Sequence, residues 1–194
     1  MNRRLWAAWA AALCGSAAAA SLAPLAPRDL DALALRAASQ VRLDTKEALR
    51  MEFHRRQGFR WQGGPHGSAD LVSLAAWPPG GGAARCVLAV AQRGQLLTVD
   101  ALAGDSGQPW SCDGEPALGL ADVDGDGSAD VLALYPYRPP SNERFMLPLV
   151  LRYEPGQGRF VLDAARTAWL RAEGRLPADL RRMKQLLRGY AAAP

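Results

Sequence analysis

Residues 118–135 read LGLADVDGDGSADVLALY and place four aspartates and three glycines within a run of small and apolar side chains. Carboxylates at close range raise one another's pKa values, so several of them are held together most easily by a cation. The run VLALY at 131–135 has the composition of a buried strand. The stretch therefore predicts a β-hairpin whose turn is a cation-binding loop.

The oxygen-bearing residues of this loop have the spacing of a calcium site. Asp122, Asp124 and Asp126 stand at positions one, three and five, and Asp130 stands at position nine. Calcium takes about six to eight oxygen ligands, which alternate residues of a tightly curled loop can supply. We expect Ser128, at position seven, to contribute its backbone carbonyl. The loop contains no His or Cys and Mg²⁺ keeps more water, so Ca²⁺ is the predicted ion.

The residues around these ligands distinguish two kinds of calcium motif. Gly127, at position six, permits a sharp bend because glycine adopts a positive φ angle without steric cost. An EF-hand needs an acidic ligand at position twelve on a helix, but Ala133 occupies that position in a strand-like run. The pattern predicts a calcium loop within a β-hairpin, and the alternative is a solvated Asp-Gly turn that binds no ion.

The segment LADVDGDGSADVLAL resembles the calcium loop of FG-GAP/VCBS repeats, the units of integrin-type β-propellers. The resemblance covers 18 of the 194 residues. It implies a single copy of that loop, with ligands from Asp122, Asp124, Asp126, the Ser128 carbonyl and Asp130. One loop cannot supply the several repeats of a propeller. We therefore expect one or two blade-like antiparallel sheets packed under flanking helices.

The N-terminus predicts a secretory signal peptide over residues 1–20. Arg3 and Arg4 precede a short apolar stretch and an alanine run that ends in an Ala-x-Ala cleavage site. The apolar part is shorter than the roughly 20 residues of a transmembrane helix, so no integral membrane segment is expected after cleavage. Leu13 directly before Cys14 does not fit a lipoprotein signal. The predicted location is secreted or periplasmic.

Export implies an oxidising compartment, in which the two remaining cysteines are expected to form a disulfide. Cys86 and Cys112 are 26 positions apart. Closing a loop of that size stabilises the fold by about 3–4 kcal/mol in the chain-entropy model. The alternative is a nucleophilic cysteine that pairs with His54 or His66, although both histidines are expected at the surface.

Local patterns predict one exported β-rich domain over residues 28–194, after a proline-broken linker at 21–27. Strands are predicted at 70–77, 85–92, 94–102, 129–137, 144–155 and 158–164. Helices are predicted at 28–38, 162–174 and 177–190. For residues 44–62 the sequence does not decide between strands and a helix that would begin at a capping box formed by Asp44 and Glu47. The predicted fold class is α+β, mainly antiparallel sheet with flanking N- and C-terminal helices.

Charge and motifs argue against several functional classes. The net charge of +4 comes without a dense basic run interleaved with aromatics, so nucleic-acid binding is not expected. The chain carries no G-x-S-x-G, H-E-x-x-H or phosphate-loop motif. The sequence favours an exported, non-catalytic calcium-binding domain with a structural or interaction role, whose partner is an unidentified protein or envelope polymer.

Two alternative functions stay open. A calcium-stabilised envelope hydrolase would draw its acids from turn regions, and a deep cleft with two carboxylates of shifted pKa would favour it. The acidic pairs available are Asp100 with Asp105 and Asp113 with Glu115. Adhesion to anionic envelope polymers would instead use the basic C-terminal helix. Its basic residues are Arg181, Arg182, Lys184 and Arg188.

Overall fold

The computed structural model describes residues 20–63, 67–102, 110–172 and 174–190. The predicted signal peptide, except for Ala20, lies outside these ranges, as do His66 and Asp105. None of the helices in the described ranges has both the length and the hydrophobicity that crossing a membrane requires.

Ten strands and three helices occur in the described ranges. The first five strands are β1 (Ser21–Pro24), β2 (Arg50–Gln62), β3 (Ser68–Trp77), β4 (Arg85–Gln92) and β5 (Gln95–Asp100). The others are β6 (Ser111–Cys112), β7 (Ala117–Ala121), β8 (Asp130–Arg138), β9 (Phe145–Glu154) and β10 (Arg159–Leu162). The helices are α1 (Pro27–Thr45), α2 (Ala164–Arg171) and α3 (Leu180–Tyr190).

The N-terminal sheet is an antiparallel meander in the order β1-β2-β3-β4-β5. Helix α1 covers its outer face and packs on apolar side chains of β3 and β4. The buried residues of α1 are Leu30, Leu33, Ala34, Ala37, Ala38 and Val41. Both faces of this sheet are covered, which agrees with the nearly continuous apolar sequence of β4, RCVLAVAQ.

The C-terminal sheet has the order β10-β9-β8-β6, and β7 also pairs with β8. All of these pairs are antiparallel. Helices α2 and α3 cover its outer face, where Leu170, Met183 and Leu187 pack against Leu132 and Leu134. The amphipathic pattern of α3 therefore buries one stripe and leaves its arginines exposed.

The two sheets pack face to face around the largest apolar core, which gives a β-sandwich with helices on both outer faces. Its largest fully buried side chains include Trp61 and Leu88 from the N-terminal sheet and Tyr135, Tyr153 and Leu149 from the C-terminal sheet. Burying aromatic rings at this interface supplies much of the apolar area that stabilises a domain of this size. The predicted α+β class, with mainly antiparallel sheet and terminal helices, is confirmed.

A disulfide joins Cys86 in β4 to Cys112 in β6 and so links the two sheets, with the Cα atoms 5.2 Å apart. Backbone groups support the same junction. The Cys112 N–H donates to the Ala84 carbonyl at 2.8 Å, and the Cys86 N–H donates to the Tyr137 hydroxyl at 3.0 Å. The predicted pairing is confirmed, and Cys86 is not a free nucleophile.

Several local expectations differ from the structure. Residues 21–24, expected in a linker, form β1 because they pair with β2 in register Leu22↔Trp61. Helix α1 continues to Thr45 and ends at Lys46, whose φ is 57°. Asp44 therefore lies in the last turn of α1 and begins no new helix. The segment 44–62, whose secondary structure the sequence did not decide, forms the end of α1 and the long strand β2.

Candidate metal centre

The predicted hairpin is formed by β7 and β8, which pair in the register Leu120↔Val131 and Ala121↔Asp130. Residues 122–129 make the connecting loop. Strand β8 is buried from Asp130 to Tyr137, so the loop is attached to one of the most enclosed strands of the described chain. This attachment fixes one side of the loop while the other side faces solvent.

Three of the four predicted carboxylates lie close together. Asp122, Asp124 and Asp130 each contribute an oxygen that lies within 4.8 Å of the other two. Two oxygens bound to one Ca²⁺ at about 2.3–2.6 Å lie no more than about 5.2 Å apart. The triad can therefore hold a metal ion, and its spacing and all-oxygen donor set fit Ca²⁺.

Asp122 shapes the loop through its carboxylate. One oxygen accepts a hydrogen bond from the Gly125 N–H at 2.7 Å, and the other accepts from the Gly127 N–H at 3.0 Å. Gly125 and Gly127 have φ angles of 79° and 84°, a region that favours glycine. The loop is thus already curled around the carboxylate that stands first in the motif.

Asp130 is the buried member of the triad, with 0% exposure. Its two oxygens accept hydrogen bonds from the Val123 N–H at 2.9 Å and the Tyr153 N–H at 2.7 Å. Burial raises the pKa of Asp130 to about 6, and the negative charges of Asp124 and Asp126 also raise it, whereas the two N–H donors lower it. A cation beside Asp130 would favour the ionised form that burial opposes.

Asp126 and Ser128 occupy a different place from the triad. Asp126 is exposed, and its carboxylate accepts a hydrogen bond from the Ser128 N–H at 2.7 Å. The Asp126 N–H lies 3.3 Å from a carboxylate oxygen of Asp124. Ser128 is buried, with 1% exposure. These contacts hold the turn in shape, and the roles of Asp126 and the Ser128 carbonyl as ligands stay predictions.

Basic side chains from distant elements surround the loop. Arg152 of β9 lies 3.7 Å from an Asp124 oxygen while it donates to Glu154 at 2.8 Å. Lys184 and Arg188 of α3 line a cavity of about 470 Å³ together with Asp122, Asp124 and neighbouring loop residues. The sequence did not predict that these basic side chains lie beside the loop. No local sequence signal indicates it, because it depends on how β9 and α3 pack.

The first acidic pair considered for hydrolysis is only partly described, since Asp105 lies outside the described residues. Burial raises the pKa of Asp100, whose carboxylate accepts a hydrogen bond from the Leu102 N–H at 2.8 Å. Arg85 lies 3.8 Å from the other oxygen. Asp100 is thus tied into the end of β5 and its flanking turn.

The second acidic pair is held by arginines. Arg138 and Arg144 approach one Asp113 oxygen at 2.9 and 3.3 Å. Glu115 is exposed. Asp100 and Asp130, the two carboxylates whose pKa values are raised among the described residues, belong to β5 and β8 and together do not correspond to either of these acidic pairs.

His54 belongs to the interior, which corrects the expectation of a surface histidine. It is 8% exposed, and its Nδ1 lies 3.0 Å from the hydroxyl of Ser73. The Tyr135 hydroxyl donates to the same Ser73 oxygen at 3.1 Å. Burial lowers the pKa of His54, although the negative charges of Glu115 and Glu52 act in the opposite direction. Ser73 has 0% exposure, so a substrate in solvent does not reach this chain of hydrogen bonds.

Comparison with known proteins identifies no relative that bears on this site. No protein-family profile, curated protein or solved structure matches this chain. The resemblance to FG-GAP/VCBS calcium loops therefore depends on the residues of the loop itself.

Proposed function

We propose that the protein is an exported, non-catalytic domain in which a calcium ion fixes the β7–β8 loop for a structural or interaction role. The observation that carries this proposal is the meeting of three carboxylates within 4.8 Å, one of them on the fully buried Asp130. Carboxylates in this arrangement repel one another unless a cation neutralises them. The disulfide is compatible with an oxidising compartment, and export itself rests on the predicted signal peptide at 1–20.

The proposed ligands are Asp122, Asp124 and Asp130, with Asp126, the Ser128 carbonyl and water completing the coordination. Asp122 and Asp130 already accept backbone hydrogen bonds, but a carboxylate oxygen has more than one lone pair, so each can also face an ion. The ion would neutralise the loop and strengthen its attachment to β9, because Asp130 also bonds to the Tyr153 N–H.

Thermal unfolding in EDTA and in calcium tests this proposal. Extracellular calcium modules have dissociation constants of about 10⁻⁴–10⁻³ M. Calcium at ten times such a constant stabilises by about 1.4 kcal/mol, which corresponds to a rise in Tm of about 3–6 °C. Asp124→Asn should lose this rise, whereas Asp31→Asn, an exposed site on α1, should retain it. A wild-type protein whose Tm is the same in EDTA and in 10 mM calcium would refute the proposal.

A second candidate function is adhesion to an anionic envelope polymer. The observation that favours it is the position of Lys184 and Arg188, which share a cavity with the acidic loop, so a bound cation would make this surface attractive to anions. Binding to immobilised polyphosphate should weaken steeply with salt. It should also fall when Lys184 and Arg188 are both replaced by Gln. Unchanged retention of that double variant would exclude this function.

A further inference from the structure

A cavity of about 270 Å³ opens between the two sheets, where β5 approaches β10. Both strands stand at the end of the strand order in their sheets, so the cavity lies at an open side of the sandwich. Most of its wall is apolar. The apolar lining residues are Val90, Leu96, Leu97, Phe160, Val161 and Leu162. The cavity shares no residue with the acidic triad.

Gln92 is the polar group that distinguishes this cavity from an ordinary packing gap. It is the last residue of β4, and strand alternation places it on the same side as Leu88 and Val90, toward the space between the sheets. The residue is 7% exposed. In the described part of the chain, neither its amide nitrogen nor its amide oxygen has a hydrogen-bond partner.

An unpartnered buried amide is costly. Leaving a buried donor or acceptor without a partner destabilises a fold by about 1–3 kcal/mol, and Gln92 presents one of each. The other polar residues of the lining, Gln95 and Arg159, are exposed at its rim. The structure thus leaves a matched donor and acceptor inside an apolar cavity, and their complement has to come from outside the described chain.

We propose that this cavity binds a small, largely apolar molecule through an uncharged carboxamide head that pairs with the Gln92 side chain. A carboxamide offers an acceptor next to a donor, which matches the donor and acceptor of Gln92. The volume is just below the range of about 300–1,000 Å³ usual for ligand pockets, which limits the occupant to about one ring or a short chain. Arg159 at the rim disfavours a cationic ligand.

Benzamide, toluene and benzoate are the probes that test this pairing. In ¹⁵N-labelled protein, benzamide should shift the side-chain amide resonances of Gln92 in a saturable titration. Gln92→Leu should weaken benzamide at least tenfold, because two hydrogen bonds are lost. The same variant should melt at a higher temperature without ligand, because it removes the unpartnered amide. Toluene should bind wild type more weakly than benzamide.

Control variants keep the test decisive. Gln62→Leu makes the same change at the exposed last residue of β2, outside the cavity lining, and should alter benzamide affinity by less than twofold. Gln92→Met serves if Gln92→Leu fails to fold. The inference is overturned if benzamide causes no shift at 10 mM, as for a cavity that holds only water. Equal affinity for wild type and the Gln92 variant overturns it too, as does tighter binding of toluene or benzoate than of benzamide.

Discussion

At the scale of one residue, Asp130 carries the strongest electrostatic argument for the proposed cation. Its carboxylate is removed from solvent and satisfied by two backbone N–H groups, yet Asp124 and Asp126 raise its pKa further toward neutrality. Arg152 compensates these charges little, because it lies 3.7 Å from Asp124 and is also bound to Glu154. Surface ion pairs of this length contribute at most about 1 kcal/mol. In the proposed site, a divalent ion bound at the triad would supply the missing positive charge directly.

Gly127 allows a prediction about the backbone of the loop. Its φ angle is 84°, and a Cβ atom added there meets nothing within 4 Å. Gly127→Ala should therefore act only through backbone strain and lower the free energy of unfolding by about 1–2 kcal/mol in urea titration. Gly156→Ala is the matched control, since that glycine also has open space but no positive φ. Equal stability of the two variants would contradict the strained-turn interpretation.

His54 gives the protein a predictable response to acid. Its pKa is below 6.5 in the folded state, so the unfolded chain takes up the proton more readily. The stability that neutral His54 contributes is complete above pH 6.5 and is lost as the pH falls below that value. The slope is at most about 1.4 kcal/mol for each pH unit.

Urea unfolding of wild type and His54→Gln between pH 7.5 and 5 measures this contribution. The difference between the two proteins removes the opposite contributions of Asp100 and Asp130, whose pKa values are raised. The stability that these two carboxyls contribute is present at low pH and is lost as the pH rises from 3.8. His66→Gln should keep the wild-type slope. A slope that disappears with His66 and not with His54 would show that the buried histidine is not the titrating group.

At the scale of elements, the disulfide connects the beginning of β4 to the short strand β6. The Cys86→Ala, Cys112→Ala double variant should lose about 3–4 kcal/mol of unfolding free energy, because the unfolded chain regains the entropy of an open loop. Urea titration with and without dithiothreitol measures the loss, and reductant should not affect the double variant. A change below 1 kcal/mol would mean that the backbone bonds at this junction suffice.

Elements that are specified by residues close together in the chain could be predicted from the sequence. Strand β4 was placed at its observed bounds because coverage on both faces makes its sequence continuously apolar. Strand β1 was missed because Pro24 and Pro27 indicate a linker, whereas its pairing with β2 depends on residues about 40 positions away. The hairpin around the acidic loop was predicted correctly, since turn and strands are contiguous in the chain.

The residues of the candidate site likewise fall into those that the sequence could identify and those that it could not. Asp122, Asp124 and Asp130 were identifiable because their spacing is set within nine residues. Arg152, Lys184 and Arg188 come from elements that reach the loop only when the C-terminal sheet and α3 pack together. Gln92 carried no signal either, because the lack of a partner in a buried site is a property of the whole sandwich.

At the scale of the molecule, the fold explains how the loop is anchored to the sandwich on one side and accessible to solvent on the other. Its root, β8, lies in the second sheet with the large core on one face and α2 and α3 on the other, while residues 125–127 face solvent. An ion bound there would connect the exposed turn to β9 through the Tyr153 bond of Asp130. The calcium effect should therefore be local, with little change in the sandwich.

The most direct test is a calcium titration followed by ¹⁵N NMR. A calcium site in the β7–β8 hairpin should give saturable shifts confined to the amides of residues 122–130 and to Tyr153, with one dissociation constant of about 10⁻⁴–10⁻³ M. In Asp124→Asn the shifts should be lost or need at least tenfold more calcium. No shift in the wild-type loop at 10 mM calcium, or shifts scattered over the acidic surface and unchanged in Asp124→Asn, would contradict a calcium site in the β7–β8 hairpin.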